Sequence, residues 1–401
     1  MRTFTRPPRR RSGRLAVLLF LVIAAVTAGT VRPAAALPPP DDDAFYRPPA
    51  GFESATPGSI LRTRGVTVTG LGIPIPVKAT QMLVRSTDAK GRPVAVVSTL
   101  MMPLTPYLGK RPLLSYQPAT DSLGDECNPS YLLRIGLEKE VALMGSGLLK
   151  GWAVVVTDYQ GPRDAFGAGH MAGQATLDGI RAAERLPGTW LAGASTPVGM
   201  WGYSGGGLAT GWAAQLHPTY APELRIKGVA AGGTPGDLQA AGEVMDGSPF
   251  SGLFLAASVG LSREYPELLS VINARGHEMI EQIGDMCYAD ASIAFPFRRL
   301  AEFTTVPDPL HHPTVTAILD RNRMGATAPT VPVLLYHSLF DELIPHASGV
   351  ALKDRWCQAG GTVDFRTDLA SEHVVLAVSG APMALGFLSA RFLGLPAPDD
   401  C

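Results

Sequence analysis

Charge is scarce in this chain of 401 residues. Only 17 % of positions are Asp, Glu, Lys or Arg, and 35 acidic against 34 basic side chains leave a formal net charge of −1. A nucleic-acid binder carries a basic face or stripe, so no polyanionic partner is expected, and a neutral substrate is favoured over a highly charged one. Cysteine is scarce too: Cys127, Cys287, Cys357 and Cys401 are the four. None lies in a Cys-x-x-Cys pair, which leaves zinc and dithiol redox motifs unsupported. The even number suits two disulfides in an oxidising compartment, with three pairings open. No repeat of solenoid length is visible.

What the chain has is apolar substance: 46 % of its residues are hydrophobic, enough for one large α/β domain with an insertion or for two ordinary domains. Residues 1–36 read as an export signal. Arg2, Arg6, Arg9, Arg10, Arg11 and Arg14 precede an apolar run from Leu15 to Ala28, and Ala34-Ala35-Ala36 offers small residues for cleavage. The run is shorter than the roughly 20 residues of a membrane span; an uncleaved anchor and twin-arginine export are the alternatives. A secreted or cell-envelope protein is expected.

After Leu37, β-rich runs at Val66–Thr69, Val77–Val84 and Val94–Met101 suggest an opening antiparallel meander. A strand at Arg111–Tyr116 and a helix over Leu137–Leu149 follow. Trp152–Thr157 is continuously apolar and β-branched, as a strand buried on both faces requires. Strands at Val198–Trp201, Ile226–Ala231, Val331–Tyr336 and Val363–Arg366 then alternate with helices at Ala172–Leu186, Gly205–Leu216, Ala347–Ala359 and Pro382–Phe392. That alternation predicts a mostly parallel sheet with helices on both faces. Between Gly236 and Pro329 the pattern is helical only (Leu253–Val259, Pro266–Met286, Ile293–Phe303). The expected division is a core at 37–235 and 330–401 with a helical lid at 236–329, which Cys287 could tie to the loop at Cys127.

Gly202-Tyr203-Ser204-Gly205-Gly206 matches Gly-x-Ser-x-Gly between a strand and a helix, the context of a nucleophile elbow. A serine on so tight a turn needs neighbours without side chains, and the helix beginning at Gly205 aims its N-terminal N–H groups at a developing oxyanion. A serine hydroxyl also needs a base. His373 follows the last strand in a loop, where this arrangement delivers its base. Asp341 follows the strand Val331–Tyr336, where it delivers the acid that orients the base. Glu342 is the neighbouring alternative. His337 ends a strand as a packed residue, His346 starts a helix, and His311 and His312 belong to the lid region.

The chain resembles the secretory lipases of the α/β-hydrolase superfamily. The matching pieces are Ser115-Tyr116-Gln117, Asp121-Ser122, Cys127-Asn128-Pro129-Ser130-Tyr131, Thr157-Asp158-Tyr159-Gln160-Gly161-Pro162, the Ser204 elbow, Phe340-Asp341-Glu342-Leu343-Ile344-Pro345 and Glu372-His373. The resemblance implies an α/β-hydrolase fold and hydrolysis of carboxylic esters, triacylglycerols or other lipid esters, through an acyl-enzyme on Ser204. It implies Asp121 and Gly205 in the oxyanion hole, disulfides Cys127–Cys287 and Cys357–Cys401, and a lid over an acyl-binding tunnel. Gly205-Gly206-Gly207 is richer in glycine than an elbow requires. Neither metal nor organic cofactor is called for. Phe250, Leu253, Phe254, Leu255 and Leu261 are candidates either to meet a lipid interface or to pack the lid on the core. A short-chain carboxylesterase, an acyltransferase and a non-catalytic binding protein on the same scaffold are the alternatives.

Overall fold

In the computed structural model, which describes residues 37–401, Pro38–Cys401 forms one compact unit. The expected export signal and its cleavage site lie outside the described residues.

Among the described residues there are eleven strands: β1 Ile60–Val66, β2 Thr69–Gly70, β3 Ile73–Pro74, β4 Val77–Thr87, β5 Pro93–Pro103, β6 Leu113–Gln117, β7 Ala153–Thr157, β8 Val198–Tyr203, β9 Ile226–Gly232, β10 Val333–Ser338 and β11 Val363–Asp368. Nine of them make one sheet in the order β1-β4-β5-β7-β6-β8-β9-β10-β11. The β1-β4-β5 end is antiparallel, and β5 meets β7 antiparallel. From β7 to β11 every pairing is parallel. The order reverses around β6, which lies between β7 and β8. In open α/β sheets the crevice beyond the strand C-termini at such a reversal is where ligands bind. The loops after β6 and β8 both open there.

The described residues also form twelve α-helices: α1 Pro129–Ile135, α2 Val141–Leu149, α3 Gly169–Arg185, α4 Gly205–Tyr220, α5 Leu238–Met245, α6 Ser251–Glu264, α7 Ala274–Ile283, α8 Tyr288–Ala294, α9 Pro313–Arg321, α10 His346–Gln358, α11 His373–Ser379 and α12 Ala381–Phe392. One face of the sheet buries Leu177 and Ile180 of α3, Trp212 of α4 and Trp356 of α10. The other buries Met144 of α2 and Leu376, Phe387 and Leu388 of α11 and α12. Covered on both sides, β7 and β8 are buried at every position, which is why their sequences run apolar without alternation.

Helices α5 to α9 all lie between β9 and β10. Among the described residues that segment holds no strand, only an isolated bridge between Ile272 and Thr304. Leu253, Phe254, Leu255 and Leu261 of α6 are buried in the core shared with α3 and α4, and Phe250 packs against it. These residues face inward and are not displayed to an interface.

Several elements differ from expectation, each for a local reason. The first strand is Ile60–Val66 rather than Val66–Thr69. It is an edge strand whose Arg62 and Arg64 hide its pattern, and Arg64 lies over the Phe45 ring while pairing with Asp43. The helix expected over Leu137–Leu149 starts only at Val141, because Gly136 in the left-handed region closes α1 and the Glu138 side chain accepts from the Glu140 N–H. The Gly205 helix runs on to Tyr220 with Pro218 inside it. Pro266–Met286 is a 3-10 turn followed by α7, whose Asn273 cap accepts from Gly276 N. Ile293–Phe303 is the end of α8, a turn and a 3-10 helix at Leu300–Phe303, and α5 and α9 had no counterpart in the sequence pattern. His373 is not in a loop: it opens α11, whose Glu372 cap accepts from Val374 N and Val375 N.

Candidate active site

Ser204 sits between the buried strand β8 and the helix α4 with φ 56° and ψ −121°, a backbone region that non-glycine residues rarely enter. The tight turn is possible because its neighbours carry no β-carbon. One on Gly202 would come within 2.3 Å of Gly206 O, and one on Gly206 within 1.9 Å of Gln117 O. Gly207 is equally constrained, at 2.6 Å from Gly232 O. The third glycine, which seemed superfluous in sequence, lets α4 pack down on β9. Ser204 N donates to Gly232 O at 2.9 Å, anchoring the turn to that strand.

The residues singled out around Ser204 converge. His373 Nε2 lies 2.8 Å from Ser204 Oγ, and His373 Nδ1 lies 2.7 Å from Asp341 Oδ2. The His373 ring is held from both sides of its backbone: Tyr203 OH donates to His373 O at 2.7 Å, and His373 N donates to Glu342 Oε2 at 3.1 Å. Asp341 Oδ1 accepts from Leu343 N and Ile344 N. Burial acts to raise the Asp341 carboxyl, but hydrogen bonding from His337 and His373 and the Ile344 N–H outweighs it and holds the group well below the usual carboxylate range. It is therefore ionised at any physiological pH.

On the other side of Ser204 stands the loop after β6. Asp121 is buried, with φ 46°. Its Oδ1 has no hydrogen-bond partner and occupies the space beside Gly205, where a β-carbon would come within 1.7 Å. Burial pushes the Asp121 carboxyl up to about 6; Lys139 works against that, Glu140 reinforces it and His373 opposes it. As the first residue of α4, Gly205 offers an N–H with no acceptor inside the helix. The loop is braced by neighbours: Thr120 N donates to Tyr159 OH, which itself donates to Pro118 O, and Ser122 pairs with the Gln160 amide. The segment between β9 and β10 holds it too, through Leu123 N to Met286 O, Tyr288 N to Ser122 Oγ and the Cys127–Cys287 disulfide. Cys357 and Cys401 form the second disulfide, 44 residues apart.

A cavity of about 700 Å³, its mouth to solvent included, opens from Ser204, Gly205 and Asp121 toward Leu238, Met245, Phe254 and Leu261. Beyond Ser204 and Asp121, nearly all its walls are apolar. A second apolar cavity of about 620 Å³ among α6, α7 and α9 shares Phe254, Ser258, Leu261 and Leu319 with the first.

A parallel sheet with a strained serine after β8 and a histidine and an aspartate delivered from beyond β11 and β10 defines an α/β-hydrolase. The chain belongs to the secretory lipase family, whose model matches residues 128–400. A Mycobacterium tuberculosis protein named "Probable inactive lipase" is 40 % identical over 370 residues, covering 88 % of this chain and 83 % of its own. Lipase A of Arthroderma benhamiae is 36 % identical over 379 residues, 89 % of this chain and 80 % of its own. The closed-state crystal structure of Candida antarctica lipase A superposes with a TM-score of 0.83 at 29 % identity, over 90 % of this chain and 89 % of that one. The protein is a carboxylic ester hydrolase of the lipase type.

Sequence reasoning missed the supports: Tyr203, Tyr159, Gln160, Glu342 as the acceptor for His373 N, and His337. Tyr203 was visible as the residue before the serine in the elbow, and Tyr159-Gln160 as part of a matching block. Nothing in one dimension says which backbone atom a buried tyrosine will reach.

Proposed function

We propose that this is a secreted lipase that cleaves triacylglycerols or other lipid esters through an acyl-enzyme on Ser204. One observation carries the reading: the hydrogen-bonded chain Ser204–His373–Asp341 ends on a buried, apolar cavity. His373 Nε2 takes the hydroxyl proton as Ser204 Oγ attacks the carbonyl carbon, and Asp341 holds the imidazolium that forms. The oxyanion is met by Gly205 N–H at the positive end of α4 and by the protonated Asp121 carboxyl. His373 then gives the proton to the departing alcohol. A water, deprotonated by His373, attacks the acyl carbon and releases the acid with Ser204 restored. The lid, 236–329, covers an acyl chain lying in the apolar cavity, and burial of each methylene contributes about 0.8 kcal/mol.

The interface contact lies on α11 and on the loop of Asp341, away from α6. Val374, Val375 and Val378 are more than half exposed, and Phe340 is 60 % exposed, in the segments that carry His373 and Asp341. Glu342, Asp368 and Glu372 are the nearby charges in sequence, so this surface suits a neutral lipid phase better than an anionic membrane. The two disulfides and the family to which the chain belongs support export.

The test is hydrolysis of p-nitrophenyl esters of short to long acyl chains by the mature protein and by Ser204→Ala. Long-chain activity lost in the variant is the expected result. Activity confined to short chains makes the protein an esterase with the same triad. Equal rates in both proteins overturn Ser204 as nucleophile, and silence in both places it with its "Probable inactive lipase" relative.

A further inference from the structure

The acid that faces His373 is itself gripped by a second histidine. His337, in β10 four residues before Asp341, is 2 % exposed. Its Nε2 lies 2.9 Å from Ile344 O and 3.1 Å from Asp341 Oδ2, the same oxygen that meets His373 Nδ1. Both neighbours of Nε2 are acceptors, so Nε2 must carry a hydrogen. The arrangement closes a small ring of interactions. Asp341 Oδ1 accepts from Ile344 N at 2.7 Å, Ile344 O accepts from His337, and the same N–H presents its positive end to Oδ2. The ring is packed from behind by α10, where Gly349 leaves room: a β-carbon there would come within 2.6 Å of His337 Nδ1.

We propose that His337 is a positioning residue for ester hydrolysis, holding the Asp341 carboxylate and the Asp341–Ile344 turn so that Oδ2 faces His373 Nδ1. The inference rests on the reading of Ser204, His373 and Asp341 as the catalytic triad. A carboxylate on a loop can swing about χ2 and present either oxygen; with Oδ1 tied to the turn and Oδ2 backed by His337, one orientation remains. Losing one hydrogen of this kind against a charged group is expected to slow kcat about ten- to a hundred-fold. KM should change less than kcat: His337 itself is not among the residues lining the substrate cavity, although Leu343 and Ile344 of the turn it holds are.

The pH profile separates positioning from plain packing. The titratable groups that face the Asp341 carboxylate are His373 on α11, His337 on β10, His346 on α10 and Tyr203 on β8, with Glu342 beside it and Glu372 beside His373. The His337 N–H draws on part of the carboxylate's charge. Without it, both the position of Oδ2 and the charge it presents to His373 Nδ1 change, and the acid limb of kcat/KM departs from its original position.

The experiment uses the mature protein with p-nitrophenyl butyrate, measuring kcat and KM across the pH range for His337→Leu, His337→Gln and Gly349→Ala, with Ser204→Ala as the background. The glutamine amide can put an N–H near the position of Nε2, so His337→Gln is expected to recover most of kcat. Gly349→Ala leaves every hydrogen-bonding group in place but drives the imidazole off its seat, and should lower kcat even if helix α10 gains stability. It also serves if His337→Leu fails to fold. The proposal is overturned if His337→Leu, or Gly349→Ala in its stead, keeps the original kcat and acid limb, or if glutamine and leucine are equally impaired with KM raised. Activity persisting in Ser204→Ala would instead overturn the triad reading beneath it.

Discussion

Asp121 Oδ1 occupies the place of the β-carbon that Gly205 lacks, 1.7 Å from where that atom would be. The two residues come from loops after different strands, β6 and β8, and meet at the order reversal of the sheet. A carboxylate there would repel an oxyanion; a carboxylic acid would donate to it. Because burial lifts the Asp121 carboxyl to about 6, the protonated donor is fully present below that pH and is lost as pH rises through it. The alkaline limb of kcat/KM should therefore begin near this value in the free enzyme. Asp121→Asn tolerates the left-handed backbone and donates at every pH, so it should flatten that limb. Asp121→Gly keeps the backbone and loses the donor, and should cost about 10²–10³ in kcat. An unchanged alkaline limb in Asp121→Asn would show that the loop acts through its backbone.

Glu138 should make stability fall toward alkaline pH. It is 5 % exposed, and burial, reinforced by Glu140, pushes it up to about 7. An acid raised in the folded state favours folding at pH values below its ordinary value, near 4.5. That advantage disappears as pH rises through about 7, where a buried charge must be tolerated. Glu138→Gln removes the charge and keeps an acceptor for Glu140 N. It should raise the melting temperature at pH 8 but not at pH 5, with a gain on the order of 1–3 kcal/mol. Parallel melting curves of the two proteins at both pH values provide the check.

The Cys127–Cys287 bridge closes a loop of 160 residues between the segment carrying Asp121 and the segment before α8. Cys127→Ser with Cys287→Ser is expected to lower stability by about 3–5 kcal/mol on the chain-entropy account. It should also reduce kcat, since Leu123 and Ser122 take hydrogen bonds from or to Met286 and Tyr288 in the same place. Denaturant melts together with soluble-ester kinetics measure both. A stability loss with kcat intact would make the bridge purely structural.

The exposed valines of α11 should matter only at an interface. Val374→Ser, Val375→Ser and Val378→Ser combined, built on Ser204→Ala, should weaken adsorption to a neutral triacylglycerol emulsion several-fold. In the active background they should leave hydrolysis of a soluble butyrate ester within about twofold, since each serine exchanges only exposed apolar surface. Equal adsorption with and without the valines would move the contact elsewhere on the surface.

Much of this molecule was legible from its residues alone, for identifiable reasons. Strands buried on both faces must be apolar throughout, so β7 and β8 declared themselves. A serine on a strained turn needs glycines, so Ser204 stood out. The positions of Asp341 and His373 relative to the last two strands follow from the order in which such a chain must pass its sheet. Tertiary structure alone decided what these residues touch. His337 looked like a packed strand residue because its partner, the Ile344 carbonyl, is created only when the Asp341 turn folds back on β10. The apolar residues of α6 could not be told from an interface patch until α5 and α8 packed against them. Asp121 became a raised, unpartnered carboxyl only when folding buried it, beside Gly205 and within reach of Glu140. Periodicity and turn chemistry act over a few residues and are written in order along the chain; burial, orphaned atoms and shifted proton affinities arise from groups distant in sequence and exist only once the sheet has brought them together.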